Sequence, residues 1–104
     1  MKKLMYYIDN IIPASEPIIL AGDFNDWRKT IHRRLKQAYG LVEACEQHRH
    51  QVANTFSAKM PMLPMDRIYL RGFTVKNIEV LSDYSWQQLS DHCAVVAEIN
   101  LQTA

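Results

Sequence analysis

The hydrophobic positions change period along the chain. Met1, Leu4, Met5, Ile8, Ile11 and Ile12 recur at i, i+3, i+4 and i+7, with Lys2, Lys3, Asp9 and Asn10 on the other side. That spacing predicts an amphipathic helix over residues 1–12, closed by Pro13. After Pro17 comes a short apolar run, Ile18, Ile19, Leu20 and Ala21. A short, β-branched run of this kind predicts a strand buried on both faces. Helical spacing returns at Ile31, Leu35 and Ala38, predicting a helix over 28–38 with Asp26 as N-cap and Gly40 closing its C-terminus. Arg28, Lys29, Arg33, Arg34 and Lys36 give it a basic side, read as a solvated face with phosphate contact as the alternative.

The stretch from Leu41 to Phe56, LVEACEQHRHQVANTF, has no clear period. Leu41, Val42 and Ala44 suit either a helix or a short strand, and the histidines His48 and His50 predict an exposed loop rather than a metal pair. Pro61 and Pro64 make the next segment extended. The stretch DRIYLRG then alternates, with Asp66, Ile68 and Leu70 on one face and Arg67, Tyr69 and Arg71 on the other. An aspartate on that apolar face needs a partner. Gly72 turns the chain, so residues 66–82 read as a hairpin, and Cys93, Val95, Ala97 and Ile99 alternate along a last strand.

Length and composition narrow the class. With 104 residues, 48% of them apolar, the chain suits one small folded domain spanning 1–104. A net charge of +1 neither demands nor excludes nucleic acid, because an electrostatic footprint is local. Cys45 and Cys93 have no close spacing and read as buried free thiols, in keeping with a cytoplasmic protein. No apolar run approaches the ~18 residues of a transmembrane helix, and Asp9, Asn10 and Pro13 interrupt the N-terminal segment too early for a signal peptide.

Chemistry-bearing side chains gather where strands begin or end. Gly22 permits a sharp backbone change, and Asp23, Asn25 and Asp26 follow the first strand. Asp66 opens the alternating strand, and Asp91 with His92 stand at the entrance of the last one. Each group alone has a bland reading, an Asx turn for the first and a capped loop for the last. Together they make a kit for phosphate-ester hydrolysis. Carboxylates suit a hard divalent cation and can orient water, an amide can hold a phosphate oxygen, and a carboxylate-held imidazole can stabilise charge or move a proton.

In this order the stretches ILAGDFND, MDRIYLRG and LSDHCAVVAEI resemble the three C-terminal signatures of the endonuclease/exonuclease/phosphatase superfamily, over roughly Pro17 to Leu101. The resemblance implies that Asp23 orients or deprotonates the attacking water and that Asn25 contacts the scissile phosphate. It implies that Asp66 holds the His92 ring, that His92 contacts the phosphate, and that Asp91 helps to bind Mg²⁺ or Mn²⁺. The substrate would be a phosphate ester: nucleic acid, a phospholipid headgroup or a small ester. The implied fold is α/β in the α+β sense, half of a four-layer α/β/β/α sandwich. One mixed sheet, with strands near 18–22, 54–56, 66–71, 73–82 and 93–101, would carry helices on one face and the motif loops at one edge. No stretch resembles the family's N-terminal motifs, and Glu16, Glu43, Glu46, Glu79 and Glu98 lack the context of its metal-binding glutamate. The chain therefore resembles the C-terminal half alone. Two expectations follow: a phosphoesterase half whose isolated chain binds the metal weakly or not at all and is inactive, acting as a remnant or binding module, and a symmetric homodimer covering a bare sheet face drawn from Ile18–Ala21, Ile68 and Leu70 and one alternate set on the last strand.

Overall fold

The computed structural model describes residues 2–25 and 29–102. Its elements run α1 (Lys2–Tyr6), a π-helical turn (Tyr7–Ile11), β1 (Ile18–Asp23), α2 (Thr30–Tyr39), β2 (Val42–Glu43), α3 (Ala44–Arg49), β3 (Asp66–Arg71), β4 (Phe73–Leu81), α4 (Tyr84–Gln87) and β5 (Ala94–Leu101). The expected α+β half-sandwich is borne out. Its strands resolve into two antiparallel ladders, β1-β3-β2 and β4-β5, in place of one mixed sheet.

The N-terminal helix leaves its predicted stripe where the α-turn widens. Ile12 donates to Tyr7 O at 3.0 Å, an i→i−5 bond that takes up one more residue than an α-turn. Met5 and Ile8 stay buried while Ile11 swings out to 55% exposure. Met1 and the expected Asp26 cap lie outside the described residues. In α2 the buried positions are His32 and Leu35, and Ala38 is exposed. Arg33, Arg34 and Lys36 face solvent. Gly40 closes α2 at φ 66°, the left-handed conformation that glycine takes without a Cβ penalty. Helices α1 and α2 cover one face of the first ladder, where Met5, Ile8, Ile18, Leu35, Leu41 and Tyr69 form one core cluster.

Residues 41–50 take both forms left open for 41–44, a short strand and then a helix, and His48 lies on that helix rather than in a loop. Val42 and Glu43 pair with Leu70 and Tyr69, and Glu43 then caps α3 by accepting from Glu46 N at 2.9 Å. Ala44 and Cys45 of α3 pack with Leu70 and Ile78 in a second cluster, while His48 and His50 are exposed. The predicted hairpin is also corrected. β3 pairs with β1 and β2, and β4 pairs with β5. Gly72 sits at φ 85°, with space for a Cβ closed by Pro17 Cβ at 3.0 Å, and it sends β4 away from β3. Residues 54–56 form no strand; Phe56 makes only isolated bridges to Leu63 and His92. Prolines 61 and 64 lack the N–H donors that would extend a ladder there. The expected bare face is smaller than predicted, since Ile18 and Leu70 are buried within the chain, and it is Ile19 at 55% exposure and Ala21 that stay open. Both cysteines are free and buried. No helix among the described residues is long and apolar enough to cross a membrane.

Beneath the first ladder lies a polar network. His32 bonds Tyr69 Oη at 2.9 Å through Nδ1 and Glu46 Oε2 at 2.8 Å through Nε2. Lys36 Nζ donates to Glu46 Oε1. Partial burial raises the proton affinity of Glu46, but the hydrogen bonds from Lys36 and His32 and their charges outweigh it, and its carboxyl lies below the ordinary 4.5. Glu43 goes the other way: burial pushes it up despite hydrogen bonds from the Ile68 and Glu46 amides. A depressed carboxyl contributes stability that is present above its unfolded value and lost as pH falls through its folded value. Glu46→Gln should therefore destabilise the fold at neutral pH, with the penalty vanishing as the pH falls well below 4.5 in paired urea melts. A penalty that does not change with pH would mean that Glu46 acts by shape alone.

Candidate active site

The antiparallel register sets Asp23 directly opposite Asp66 at the open ends of β1 and β3. Alternation places both on the sheet face that carries Ala21, Ile68 and Leu70. Like charges opposed across a ladder cost stability, so each carboxylate needs donors. Asp23 Oδ1 accepts from Asn25 N at 2.9 Å, closing an Asx turn. Asn25 holds φ 47°, a left-handed position that asparagine tolerates better than most residues. The turn reading and the site reading of this loop are thus compatible: one oxygen builds the turn, and Oδ2 lies 3.8 Å from His92 Nε2. Phe24, between them, ties the loop down by donating its N–H to Met65 O at 2.9 Å and by setting its ring edge-on to Tyr69.

Asp66 finds the partners its half-buried position requires. His92 Nδ1 lies 2.5 Å from its Oδ2, and Thr55 Oγ1 donates to the same oxygen at 2.7 Å. The bridge from Phe56 to His92 brings the last strand's entrance to this point, and the Phe56 ring leans on the imidazole at 5.0 Å. The hydrogen bond to Asp66 raises His92 above the ordinary imidazole value of 6.5; partial burial opposes it, and the charges of Asp66, Asp23 and Asp91 add to it. Burial raises the Cys93 thiol, which is no ready nucleophile.

Ligand atoms of Asp23, Asp66 and His92 lie within 4.8 Å of one another. The exposed side chain of Asn25 belongs to the same loop. Asp91 is exposed beside them; its carbonyl holds Ala58 N at 2.7 Å, and its carboxylate is outside that cluster. Thr55 and Phe56 went unnoticed in the sequence as site residues, because a Thr-Phe pair in an apolar context carries no pattern of its own.

The chain belongs to the endonuclease/exonuclease/phosphatase family, whose sequence model matches residues 2–92. Over 92 residues it is 39% identical to the uncharacterized protein YbhP of Escherichia coli K12, and equally to YbhP of Escherichia coli O6:H1 and of Shigella flexneri. The match covers 88% of this chain and 36% of those relatives, so the chain spans about a third of their length. No solved structure matches it.

Proposed function

We propose that residues 1–104 form one domain carrying the water-activating and phosphate-binding half of a divalent-metal phosphoesterase centre. The observation that carries this reading is the opposed pair Asp23 and Asp66 with His92 between them. Two carboxylates facing each other beside an imidazole serve no packing purpose and suit water activation next to an anionic ester. In this reading Asp23 orients the attacking water and takes its proton. Asn25 holds a phosphate oxygen. Asp66 fixes the ring of His92, whose protonated form donates from Nε2 toward the phosphate as charge builds.

The donor set fits a hard cation. Both side-chain partners of Asp66 meet a single oxygen, Oδ2, and the exposed carboxylates of Asp23 and Asp91 remain open to an ion. Asp91 would hold Mg²⁺ or Mn²⁺, which when bound neutralises phosphate charge. The two buried free thiols support a cytoplasmic setting.

A second reading, a binding module without turnover of its own, is favoured by one observation. The cluster holds no glutamate among the described residues, and Glu43 and Glu46 are committed to the Ile68 amide, His32 and Lys36. Purified chain assayed on bis-p-nitrophenyl phosphate and plasmid DNA separates the two. Turnover that needs Mg²⁺ or Mn²⁺ and disappears in His92→Ala supports catalysis by this chain; a folded chain without turnover supports the module. In either case, Ile19 and Ala21 on the edge strand β1 are the surface proposed to seat a second copy in a twofold dimer, which light scattering would detect.

A further inference from the structure

We propose that Thr55 is a positioning residue that fixes Asp66 as a proton acceptor and thereby sets which nitrogen of His92 carries its proton. Its functional meaning rests on the phosphoesterase reading; its chemistry does not.

Thr55 is fully buried, and every polar group it has is committed. Its N–H donates to Leu63 O at 3.0 Å, and its carbonyl accepts from Cys93 N at 2.7 Å. Its hydroxyl oxygen accepts from Asp66 N at 3.0 Å and donates to Asp66 Oδ2 at 2.7 Å. A hydroxyl has a single proton. An amide N–H can only donate, so the contact with Asp66 N uses a lone pair and the proton is left for Oδ2. That oxygen is then an acceptor. The imidazole nitrogen that meets it at 2.5 Å must arrive as Nδ1–H. Neutral imidazole has one N–H, so the lone pair is on Nε2, the nitrogen that faces Asp23 Oδ2 at 3.8 Å. The buried threonine thus selects the tautomer that presents a basic nitrogen to the open side of the site.

The two arms of Thr55 act on one geometry. The hydroxyl holds the Asp66 side chain, and the carbonyl holds the backbone one residue past His92. Acceptor and imidazole are therefore set by a single residue of the 54–56 segment, which forms no strand of its own.

Valine has threonine's shape without the proton, and serine keeps the hydroxyl without the methyl group. The test is NMR of the full 104-residue chain, reading the imidazole ¹⁵N pattern and the Nδ1 proton of neutral His92. Wild type and Thr55→Ser should show His92 protonated at Nδ1 with a far-downfield proton. Thr55→Val should lose that signal, or show the Nε2 tautomer, while the β4–β5 amides keep their shifts. A folded Thr55→Val chain with the wild-type signal overturns the proposal, and so does its loss from both variants, which would show that the hydroxyl does not by itself set the proton. Should Thr55→Val fail to fold, wild type decides. A slowly exchanging Thr55 hydroxyl proton with an NOE to the His92 Nδ1 proton supports the assignment, and its absence overturns it. No arm reads turnover, so an inactive chain leaves the proposal standing. An unchanged Thr55→Val signal sinks it without touching the phosphoesterase reading.

Discussion

Asp23→Asn is expected to leave the fold intact and lower phosphate-ester turnover by ~10²–10⁴-fold in any form of this protein that is active, including a longer phosphoesterase chain carrying this half. Asparagine keeps an oxygen at the Oδ1 position, so the Asx turn to Asn25 N at 2.9 Å can survive. It removes the charge that would draw a proton from water, and it relieves the repulsion with Asp66 across the ladder. The variant should therefore be at least as stable as wild type while being far slower. Asp23→Ala removes the turn as well and should match or exceed that loss of rate, with a drop in stability besides. His92→Ala should act on the same step. Initial rates on a p-nitrophenyl ester beside urea melts separate the two effects. Turnover of Asp23→Asn within a few-fold of wild type would remove Asp23 from the chemistry and, with it, the assignment of the site.

The residues of that site were legible because chemistry collects at strand ends. Asp23 follows a β-branched run, Asp66 begins an alternating one, and His92 precedes another, and the ladder register then brings them together. The partner demanded by an aspartate on an apolar face was also legible, and the family resemblance named it as His92; the second partner was not. Thr55 is 11 residues from Asp66 across two prolines, and no local pattern connects them. The short helix α3 could not be read from periodicity because six residues make under two turns, and its cap, Glu43, is no usual N-cap residue. The π-helical turn at Tyr7–Ile11 has the composition of the α-helix it continues. The hairpin at Gly72 is different: the sequence itself argued against it. The tight hairpin connections have two residues, and a single glycine separates Arg71 from Phe73. With one linking residue, β4 cannot turn back beside β3 and must leave the sheet, as it does.

The largest loss of stability is expected at Tyr69. Its side chain is fully buried at the centre of the first core cluster, where it joins packing to the polar network. The ring meets Phe24 edge-on at 5.0 Å and 78°. Its hydroxyl accepts from Arg67 Nη1 at 3.0 Å and bonds His32 Nδ1 at 2.9 Å. Tyr69→Phe keeps the ring and deprives two buried groups of this partner, which should cost about 1–3 kcal/mol. Tyr69→Ala adds the lost burial and a cavity, for a further ~3–5 kcal/mol. Set against the ~5–15 kcal/mol that holds a typical domain together, the alanine variant should be largely unfolded and the phenylalanine variant folded. The site should register the difference too. Phe24 lies between Asp23 and Asn25, so removing the ring beneath it should loosen the Asx turn, and amide exchange at Asn25 should quicken in a folded leucine variant but not in Tyr69→Phe. Equal urea midpoints for the alanine and phenylalanine variants would show that the hydroxyl alone matters, and that the Asp23–Asn25 turn is held by the Phe24–Met65 backbone bond without help from the core.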